Sequence, residues 1–232
     1  MDRPFRRKGG DEMEITLSHV TKRYLGETAL DDVSLTFRQG EIVCILGESG
    51  AGKTTLLQAV SSLIETEGKI EGVPTLSYIF QTPRLIENLT VRENLEFVLP
   101  KEQRKCISET LRLLSLSEKE NAYPSTLSGG QAGRVAIARA FLYPSEAILM
   151  DEPFSSLDLS LKIRLISLFR DLWKREKRTV LYVTHDVEEA ILLAHRIVIL
   201  KKGRVIADLQ AGVSDSKAQD ELRRRVTEYL LG

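Results

Sequence analysis

Gly47-Glu48-Ser49-Gly50-Ala51-Gly52-Lys53-Thr54 is the stretch of sequence that decides the fold, because it fills every position of the pattern G-x-x-x-x-G-K-[ST]. It follows an apolar run of strand length, residues 41–46, and it precedes a helical pattern whose apolar side carries Leu56, Leu57, Val60, Leu63 and Ile64. Strand, glycine-rich loop and helix therefore occur in the order that a phosphate-binding loop requires. A chance glycine-rich loop is the alternative, but it does not account for these flanks.

Each residue type in this phosphate loop has a physical task in holding a phosphate chain. The glycines let the backbone bend so that its N–H groups face the β- and γ-phosphates, and the helix that opens with Thr54 and Thr55 adds the positive end of its dipole. Lys53 supplies a point charge, and the Thr54 hydroxyl is a suitable ligand for Mg²⁺. The loop predicts nucleotide binding, and the rest of the chain must decide what the nucleotide does.

Length and composition bound the class of protein. The chain of 232 residues suffices for one sizeable core, or for one core with an inserted subdomain, and its 42% hydrophobic and 28% charged residues are ordinary for a globular protein. No apolar run approaches the roughly 18 residues of a membrane span, so we expect any service to a membrane to come from outside the bilayer. The formal net charge of +0 argues against a protein that coats nucleic acid.

The cysteines and the N-terminus bear on the compartment. Cys44 and Cys106 lie far apart, in a strand and in a polar helical segment, so we do not expect a disulfide. No secretory signal is evident, which favours the reducing cytosol. Residues 1–12 are basic and lack apolar periodicity, and we interpret them as a disordered tail or as sequence upstream of a start at Met13. Contact with lipid headgroups or with a partner is the alternative for this tail.

The first half of the chain predicts strands followed by an all-helical insertion. Alternating apolar residues on either side of Gly26 indicate two antiparallel strands, and residues 67–72 are interpreted as a turn-rich link. A further strand ends on the amide of Gln81. Residues 82–126 have no strand-like run, and apolar residues recur there at helical spacing after a helix cap at Asn88 or Thr90. We therefore expect one domain over residues 13–232, with a helical subdomain at 82–126 inserted into a core of 13–81 and 127–232.

The second half predicts a buried parallel sheet. Residues 127–131, Leu-Ser-Gly-Gly-Gln, open a helix whose N-terminus is suited to an anion. Two near-continuous apolar runs follow, one ending on Asp151 and Glu152 and the other on His185. Strands of this kind are typical of parallel sheets, whose carboxyl ends hold ligands. Beyond them we expect a capping box between Asp186 and Glu189, a hairpin over 197–209, and a terminal amphipathic helix.

The chemistry of these strand ends is that of an α/β nucleotide hydrolase. Asp151 is the carboxylate expected to order Mg²⁺ on the β/γ oxygens. Glu152 is then left beside the γ-phosphate, where it can polarise an attacking water. His185 is placed to hydrogen-bond the γ-phosphate and so to distinguish ATP from ADP. Capping of a strand or helix by either acid, and an ordinary strand-end histidine, are the alternatives.

The order of these motifs, together with Ser155-Ser156-Leu157-Asp158, resembles the ATP-binding cassette of ABC transporters over about residues 13–209. The pentapeptide at 127–131 is highly specific for that family. The resemblance implies a P-loop NTPase (RecA-like) core with an N-terminal antiparallel β subdomain and an inserted all-helical subdomain. It also implies that Tyr24 stacks on adenine and that Gln81 contacts Mg²⁺ and the water.

The same resemblance implies two identical or paired cassettes that face each other head to tail and sandwich ATP. Ser128, Gly129, Gly130 and Gln131 would contact the γ-phosphate held by the other subunit, and Asp158 would communicate across the dimer. ATP would then shift the pair toward a closed state that a partner can harness. The partners implied are transmembrane permease subunits on the cytoplasmic face of the membrane, reached through a groove between core and helical insertion, and indirectly a solute-binding protein.

Within the family, the compact length and residues 153–158 and 184–190 are similar to importer ATPases of the nitrate/sulfonate/taurine group. Ala132-Gly133, where those proteins usually carry polar or basic residues, and Ser155-Ser156, where Gly-Ala is common, depart from the pattern without removing a catalytic group. A cassette of an exporter or lipoprotein-release system shares the same residues. A soluble cassette acting on nucleic acid or ribosomes is disfavoured by the neutral charge and by the lack of a long coiled-coil insertion.

Overall fold

Two sheets organise the structure, a computed structural model that describes residues 14–155, 157–212 and 215–232. A six-stranded sheet has the order β5-β6-β7-β3-β8-β9, with parallel neighbours except for the antiparallel pair at its β9 edge, and a three-stranded antiparallel sheet has the order β2-β1-β4. The strands are β1 (Ile15–Tyr24), β2 (Glu27–Phe37), β3 (Ile42–Leu46), β4 (Glu67–Glu71), β5 (Leu76–Ile79), β6 (Ala147–Asp151), β7 (Thr179–Thr184), β8 (Arg196–Lys201) and β9 (Arg204–Gln210).

The segment interpreted as a turn-rich link, residues 67–72, is instead strand β4, so that prediction was wrong. It pairs with β1 through Thr16 opposite Glu71 and Leu17 opposite Ile70. The strand lies at the edge of its sheet and its side chains are largely exposed, so it lacks the apolar alternation that marks a buried strand. Backbone hydrogen bonds to β1 hold this segment as a strand, although its side chains carry no pattern that predicts one.

Seven α-helices are present in the described part of the chain: α1 (Lys53–Val60), α2 (Val91–Glu96), α3 (Ile107–Leu113), α4 (Gly129–Leu142), α5 (Leu159–Glu176), α6 (Val187–Leu193) and α7 (Ser216–Leu231). Short 3₁₀ turns at Lys101–Cys106, Ser117–Lys119 and Pro124–Thr126 complete the helical insertion. Thr90 caps α2 through a full capping box with Glu93, because its hydroxyl accepts the Glu93 N–H while the Glu93 carboxylate accepts the Thr90 N–H.

Two hydrophobic cores lie on opposite faces of the parallel sheet. Alternation along β3 sends Val43 and Ile45 to one core and Ile42, Cys44 and Leu46 to the other. The first core is shared with α1 and with the antiparallel sheet, and the second is shared with the helical insertion and with helices α4 to α7. Helix α1 is therefore held between two sheets directly behind the phosphate loop.

The α/β fold class predicted from the sequence is confirmed, and so are the first β-hairpin and the terminal hairpin of β8 and β9. Helix α7 buries Leu222 and Val226, as its amphipathic pattern predicts. The tail over residues 1–12 and Ser156 of the Ser155-Ser156 departure lie outside the described residues.

Candidate nucleotide site

The carboxyl ends of four adjacent parallel strands bring the predicted site residues to one edge of the sheet. The phosphate loop follows β3, His185 follows β7, Asp151 ends β6, and Gln81 follows β5 at a distance of two residues. Because β5, β6, β7 and β3 are consecutive in the sheet and parallel, their carboxyl ends share that edge. The topology thus gathers residues that lie more than 100 positions apart in the sequence.

The phosphate loop needs glycine at two positions for steric reasons. A Cβ on Gly47 would lie 2.3 Å from the carbonyl oxygen of Leu200 in β8. A Cβ on Gly52 would lie 2.2 Å from the carbonyl oxygen of Ala29, and Gly52 also has a φ of +100°. The loop is therefore pressed against β8 and β2 by contacts that only glycine permits.

The Lys53 ammonium closes the loop on itself. Its Nζ donates to the carbonyl oxygens of Gly47 and Glu48, at 2.8 Å each, and the side chain is buried. Burial lowers the pKa of Lys53, while the charges of Glu152 and Asp151 act in the opposite direction. The positive charge therefore sits inside the concave side of the loop, where it can exchange loop carbonyls for phosphate oxygens.

The N-terminus of helix α1 has no side-chain cap and faces the phosphate loop. Its N-cap is Gly52, which has no side chain to cap the helix, and the first intrahelical bond runs from Leu56 N–H to the Gly52 carbonyl at 2.9 Å. The N–H groups of Lys53, Thr54 and Thr55 consequently have no intrahelical partner. The first turn contains no acidic residue, whereas α2 and α6 have Glu in theirs. An anion is the ligand that this end of α1 is built to hold.

Thr54 and Asp151 form an oxygen pair that can hold a divalent cation. The Thr54 hydroxyl donates to Oδ1 of Asp151 at 3.1 Å, and Asp151 is only 3% exposed. Burial raises the pKa of Asp151; the Thr54 hydrogen bond lowers it, nearby Glu152 raises it and Lys53 lowers it. A hydroxyl and one carboxylate, with phosphate oxygens to complete the shell, make a donor set of the type that Mg²⁺ uses.

Glu152 is turned away from Asp151 by its backbone. Its φ is +45°, an uncommon value for a residue with a side chain, and its N–H donates to the carbonyl of Val183 on β7 at 3.0 Å. The Glu152 carboxylate consequently meets His185, with Oε2 lying 3.2 Å from Nδ1. The His185 side chain is 64% exposed, so this pair faces open space at the sheet edge. One acid is buried beside Thr54 and its neighbour is partnered by a histidine, so the two adjacent carboxylates have different surroundings.

Comparison with known proteins places this site in a family. The sequence profile described as ABC transporter matches residues 30–155, more than half of the chain. The chain belongs to the ABC transporter family. It is 39% identical over 199 residues to the aliphatic sulfonates import ATP-binding protein SsuB of Delftia acidovorans, covering 84% of this chain and 82% of that protein. It is 38% identical over 227 residues to SsuB 3 of Rhodococcus jostii, covering 95% and 85%.

Solved ABC cassettes share the fold. A dimeric bacterial ABC transporter cassette matches with a TM-score of 0.78 and 32% identity, covering 84% of this chain and 98% of that one. A dimeric cassette in a post-hydrolysis state with ADP and Pi matches with a TM-score of 0.77, the same identity and the same coverage. The prediction of an importer-type ABC ATPase is confirmed by these relatives, and the chain is an ATPase. Among the described residues, no helix has the length and apolar character to cross a bilayer.

The ABC signature sequence, residues 127–131, begins helix α4. The Ser128 hydroxyl accepts the Gln131 N–H at 3.3 Å, and the Gln131 side chain accepts the Ser128 N–H at 2.9 Å, which completes a capping box. Ser128 and Gly129 are exposed, and a Cβ on Gly129 would meet nothing within 4 Å. Gln131 is therefore committed to the cap, while the helix start beside it is open to a ligand.

Three further predicted residues lie around this cassette without joining the central contacts. Tyr24 ends β1 next to an exposed turn, with the Nζ of Lys22 5.0 Å from its ring centroid. Gln81 is exposed beyond β5, and Asp158 caps α5 by accepting the Leu161 N–H at 2.9 Å. Within the described ranges, neither these residues nor Ser128 share a hydrogen bond or ion pair with the phosphate loop, Asp151, Glu152 or His185.

The role predicted for Glu189, four residues after His185, is wrong. Asp186 does cap α6, by accepting the N–H groups of Glu188 and Glu189, but Glu189 does not return the bond, so the predicted capping box is wrong. Glu189 is instead buried and bound to Tyr182, Thr184 and Lys162. A carboxylate at the third position of a helix is common in capping boxes, and its burial against a lysine of another helix has no local signature.

Proposed function

We propose that this chain is the ATP-hydrolysing subunit that drives uptake of a small solute through separate membrane permease subunits, from the cytoplasmic face of the membrane. The proposal rests on one observation about two motifs of the chain. The phosphate loop is complete, and the start of the signature helix α4 is open to a ligand, but within the described chain no contact joins the two. The relatives named above are import proteins and dimeric cassettes, which supports the same proposal.

The proposed roles follow from the contacts at the sheet edge. Lys53 and the first turn of α1 hold the β- and γ-phosphates of ATP, and Thr54 and Asp151 hold Mg²⁺ with Gln81 as a further oxygen donor. When bound, the metal neutralises charge that develops on the phosphate oxygens. Tyr24, the exposed last residue of β1, offers its ring to adenine.

The proposed reaction is transfer of the γ-phosphoryl group to water. Glu152 orients the water and accepts its proton as the new bond from oxygen to phosphorus forms. The bond between the γ-phosphorus and the bridging oxygen breaks, and its electron pair leaves with ADP, so the products are ADP and inorganic phosphate. His185, whose Nδ1 lies 3.2 Å from Glu152, holds that carboxylate and meets the γ-phosphate.

We expect two chains to complete each other's sites. Ser128, Gly129 and Gly130 of one subunit would close on the γ-phosphate held by the other, with Gln131 fixing the turn as a cap and Asp158 next to the junction. Helix α4 has no acidic residue in its first turn, which suits it to a phosphate. Since the phosphate binds both surfaces only in the closed pair, ATP shifts the population toward closure.

The permease is proposed to dock in an apolar cavity of about 450 Å³ between the helical insertion and helices α4 and α5. Its walls include Cys106, Thr110, Leu113, Phe141, Leu168 and Phe169. An amphipathic helix of a permease fits a surface of this kind. A solute-binding protein would act through the permease, and aliphatic sulfonates are the first solutes to test because the relatives are named as ATP-binding proteins of aliphatic sulfonates import.

The dimer is tested with Glu152→Gln, which keeps the shape of the side chain but removes its base. We expect ATP to convert this variant from monomer to dimer in size-exclusion chromatography with light scattering, while hydrolysis falls by roughly 10²-fold or more. Adding Ser128→Glu places negative charge against phosphate and should restore the monomer, whereas Ser125→Glu, exposed three residues earlier, should not. A monomer for Glu152→Gln with ATP, or near-normal hydrolysis, would contradict the proposal.

Docking is tested by affinity capture from solubilised membranes of the source cells. Wild type should retain a polytopic permease, and Leu113→Asp, in the cavity wall, should lose it without changing basal ATP hydrolysis. Leu231→Asp, at an exposed site on the last helix, is the matched control and should capture normally. Equal capture by all three proteins would rule out this surface.

A further inference from the structure

Glu189 is a buried carboxylate that none of the proposed catalytic roles uses. It is 3% exposed, and its Oε2 accepts hydrogen bonds from the Tyr182 hydroxyl and, at 2.8 Å, from the Thr184 hydroxyl. Its Oε1 lies 2.6 Å from Nζ of Lys162. A carboxylate removed from water needs a cation and hydrogen-bond donors, and Lys162 supplies the positive charge.

Lys162 belongs to α5, whereas its partners belong to the start of α6. Its Nζ also donates to Oδ2 of Asp186 at 3.1 Å, and the Lys162 side chain is mostly buried. Burial acts to lower the pKa of Lys162, but hydrogen bonds to Glu189 and Asp186 outweigh it and raise that pKa. The same ammonium holds the pKa of Asp186 below its usual value despite partial burial. Lys162 is therefore a charged tie between two helices.

The two ends of this tie reach the two sides of the nucleotide site. On α5, Lys162 lies one turn after Asp158 and donates its N–H to the Asp158 carbonyl at 2.9 Å. On the other side its partners hold the residues next to His185 in the chain: the Thr184 hydroxyl donates to Glu189, and the Asp186 N–H donates to the Thr184 hydroxyl at 3.0 Å. Both neighbours of His185 in the chain are thus fixed by bonds that converge on Lys162.

We propose that Lys162 is a positioning residue for ATP hydrolysis, which ties helix α5, capped by Asp158, to the turn that holds His185 beside Glu152. The inference rests on the proposed roles of His185 and Asp158. Movement of α5 when a second subunit meets Asp158 would pass through Lys162 to the histidine. Since a displacement of about 1 Å at a catalytic group can cost on the order of 10²-fold in rate, a single tie at this point is sufficient to matter.

The first experiment measures steady-state ATP hydrolysis by Lys162→Met. We expect kcat to fall by about 10- to 100-fold with the KM for MgATP within about twofold of wild type, because the phosphate loop is untouched. Lys162→Arg should retain most of the rate, since it keeps a cation between the same carboxylates. Lys174→Met, on the exposed side of the same helix where Lys174 pairs with Asp171 at 3.8 Å, should behave as wild type. A kcat for Lys162→Met within twofold of wild type would overturn the proposal.

A second set separates positioning from a loss of folding. Lys162→Met leaves Glu189 unpaired, so Lys162→Met/Glu189→Gln is made to remove both charges while keeping an amide that can bond Tyr182 and Thr184. We expect the double variant to melt close to wild type and still to hydrolyse slowly, because α5 and α6 remain untied. Recovery of wild-type kcat in the double variant would overturn the proposal that Lys162 positions His185 by tying α5 to α6.

A double-mutant cycle with His185→Ala identifies the group through which Lys162 acts. If Lys162 works by placing His185, adding Lys162→Met to His185→Ala costs less than about twofold more in kcat. If the fold-losses in kcat of the two single variants multiply in the double variant, the proposal is overturned, since independent effects add in free energy. Near-normal hydrolysis by His185→Ala alone would instead refute the proposed role of the histidine, which distinguishes that failure from failure of the tie.

Discussion

Asn94→Ala should destabilise the fold of this ATPase strongly, because Asn94 holds together the first part of the helical insertion, shortly after Gln81. Asn94 is fully buried within α2. Its Oδ1 accepts the Ile86 N–H at 2.9 Å, and its Nδ2 donates to the carbonyls of Ile86, Leu89 and Thr90 at 3.1, 3.0 and 3.0 Å. One side chain thus closes the loop over residues 86–90 onto the helix.

The size of the effect follows from those contacts. The amide NH₂ has two hydrogens for its three carbonyl acceptors, so the side chain makes the equivalent of about three bonds, and about 0.5–1.5 kcal/mol each gives roughly 1.5–4.5 kcal/mol. Alanine leaves the Ile86 N–H and the Leu89 carbonyl to find other partners, because the Ile86 and Thr90 carbonyls also accept the backbone N–H groups of Leu89 and Asn94. We take about 3 kcal/mol, because part of this loop is exposed and water can reach some of its carbonyls. For a chain of this length, each kcal/mol moves Tm by about 2–4 °C, so the shift should be about 6–12 °C downward.

The assay is thermal unfolding of nucleotide-free protein, followed by circular dichroism. Asn88→Ala is the matched control, because Asn88 lies in the same loop but is exposed, and it should change stability by less than about 0.5 kcal/mol. Equal Tm values for the two variants, or a decrease below about 2 °C for Asn94→Ala, would refute the assignment of this bond network as a structural lock.

Gly47→Ala should lower the Tm of nucleotide-free protein more than Gly50→Ala, because the new Cβ meets the Leu200 carbonyl at 2.3 Å, whereas the one on Gly50 meets nothing within 4 Å and adds only the strain of a φ of +79°. A smaller loss for Gly47→Ala would contradict the packing. His195 should make the free energy of unfolding decrease as pH falls below about 6.5, the pKa of a histidine in the unfolded chain. Its Nδ1 accepts the Ile42 N–H at 3.0 Å, and burial lowers its pKa in the folded protein. The unfolded chain therefore takes the proton first, which favours unfolding. The Tm of wild type should then drop more between pH 7.5 and 5.5 than that of His195→Gln, and equal slopes would exclude His195 as the cause.

The parts of the fold that the sequence predicted are those whose signal is local. The phosphate loop is read from consecutive residues, and the buried strands β6 and β7 are read from unbroken apolar runs. Strand β4 escaped because an exposed edge strand needs no apolar alternation, and its partner β1 lies about 50 residues earlier. Backbone pairing over that distance leaves no trace in composition.

The candidate site shows the same division between local and distant signals. Asp151 and Glu152 are identified by standing together at a strand end, but their separation into a buried acid beside Thr54 and an acid beside His185 depends on a positive φ and on the neighbouring strand. The bearing of Lys162 on His185 depends on how α5 and α6 pack, which a linear pattern does not contain.

A signal for Lys162 was nonetheless present in the helix that carries it. The buried side of α5 contains Ile166, Phe169 and Trp173, which recur at spacings of three and four, and Lys162 stands four residues before Ile166 on that same side. A lysine on an apolar stripe must have a buried anion within reach, because an unpaired ammonium there would be costly. The acids at 186 and 189, in the next strand-to-helix turn, are the residues that a parallel β-α-β arrangement brings alongside, and Glu189 is the one that is buried. A charged residue that interrupts an apolar stripe therefore predicts a buried partner of opposite charge, and here that partner is Glu189, four residues after His185.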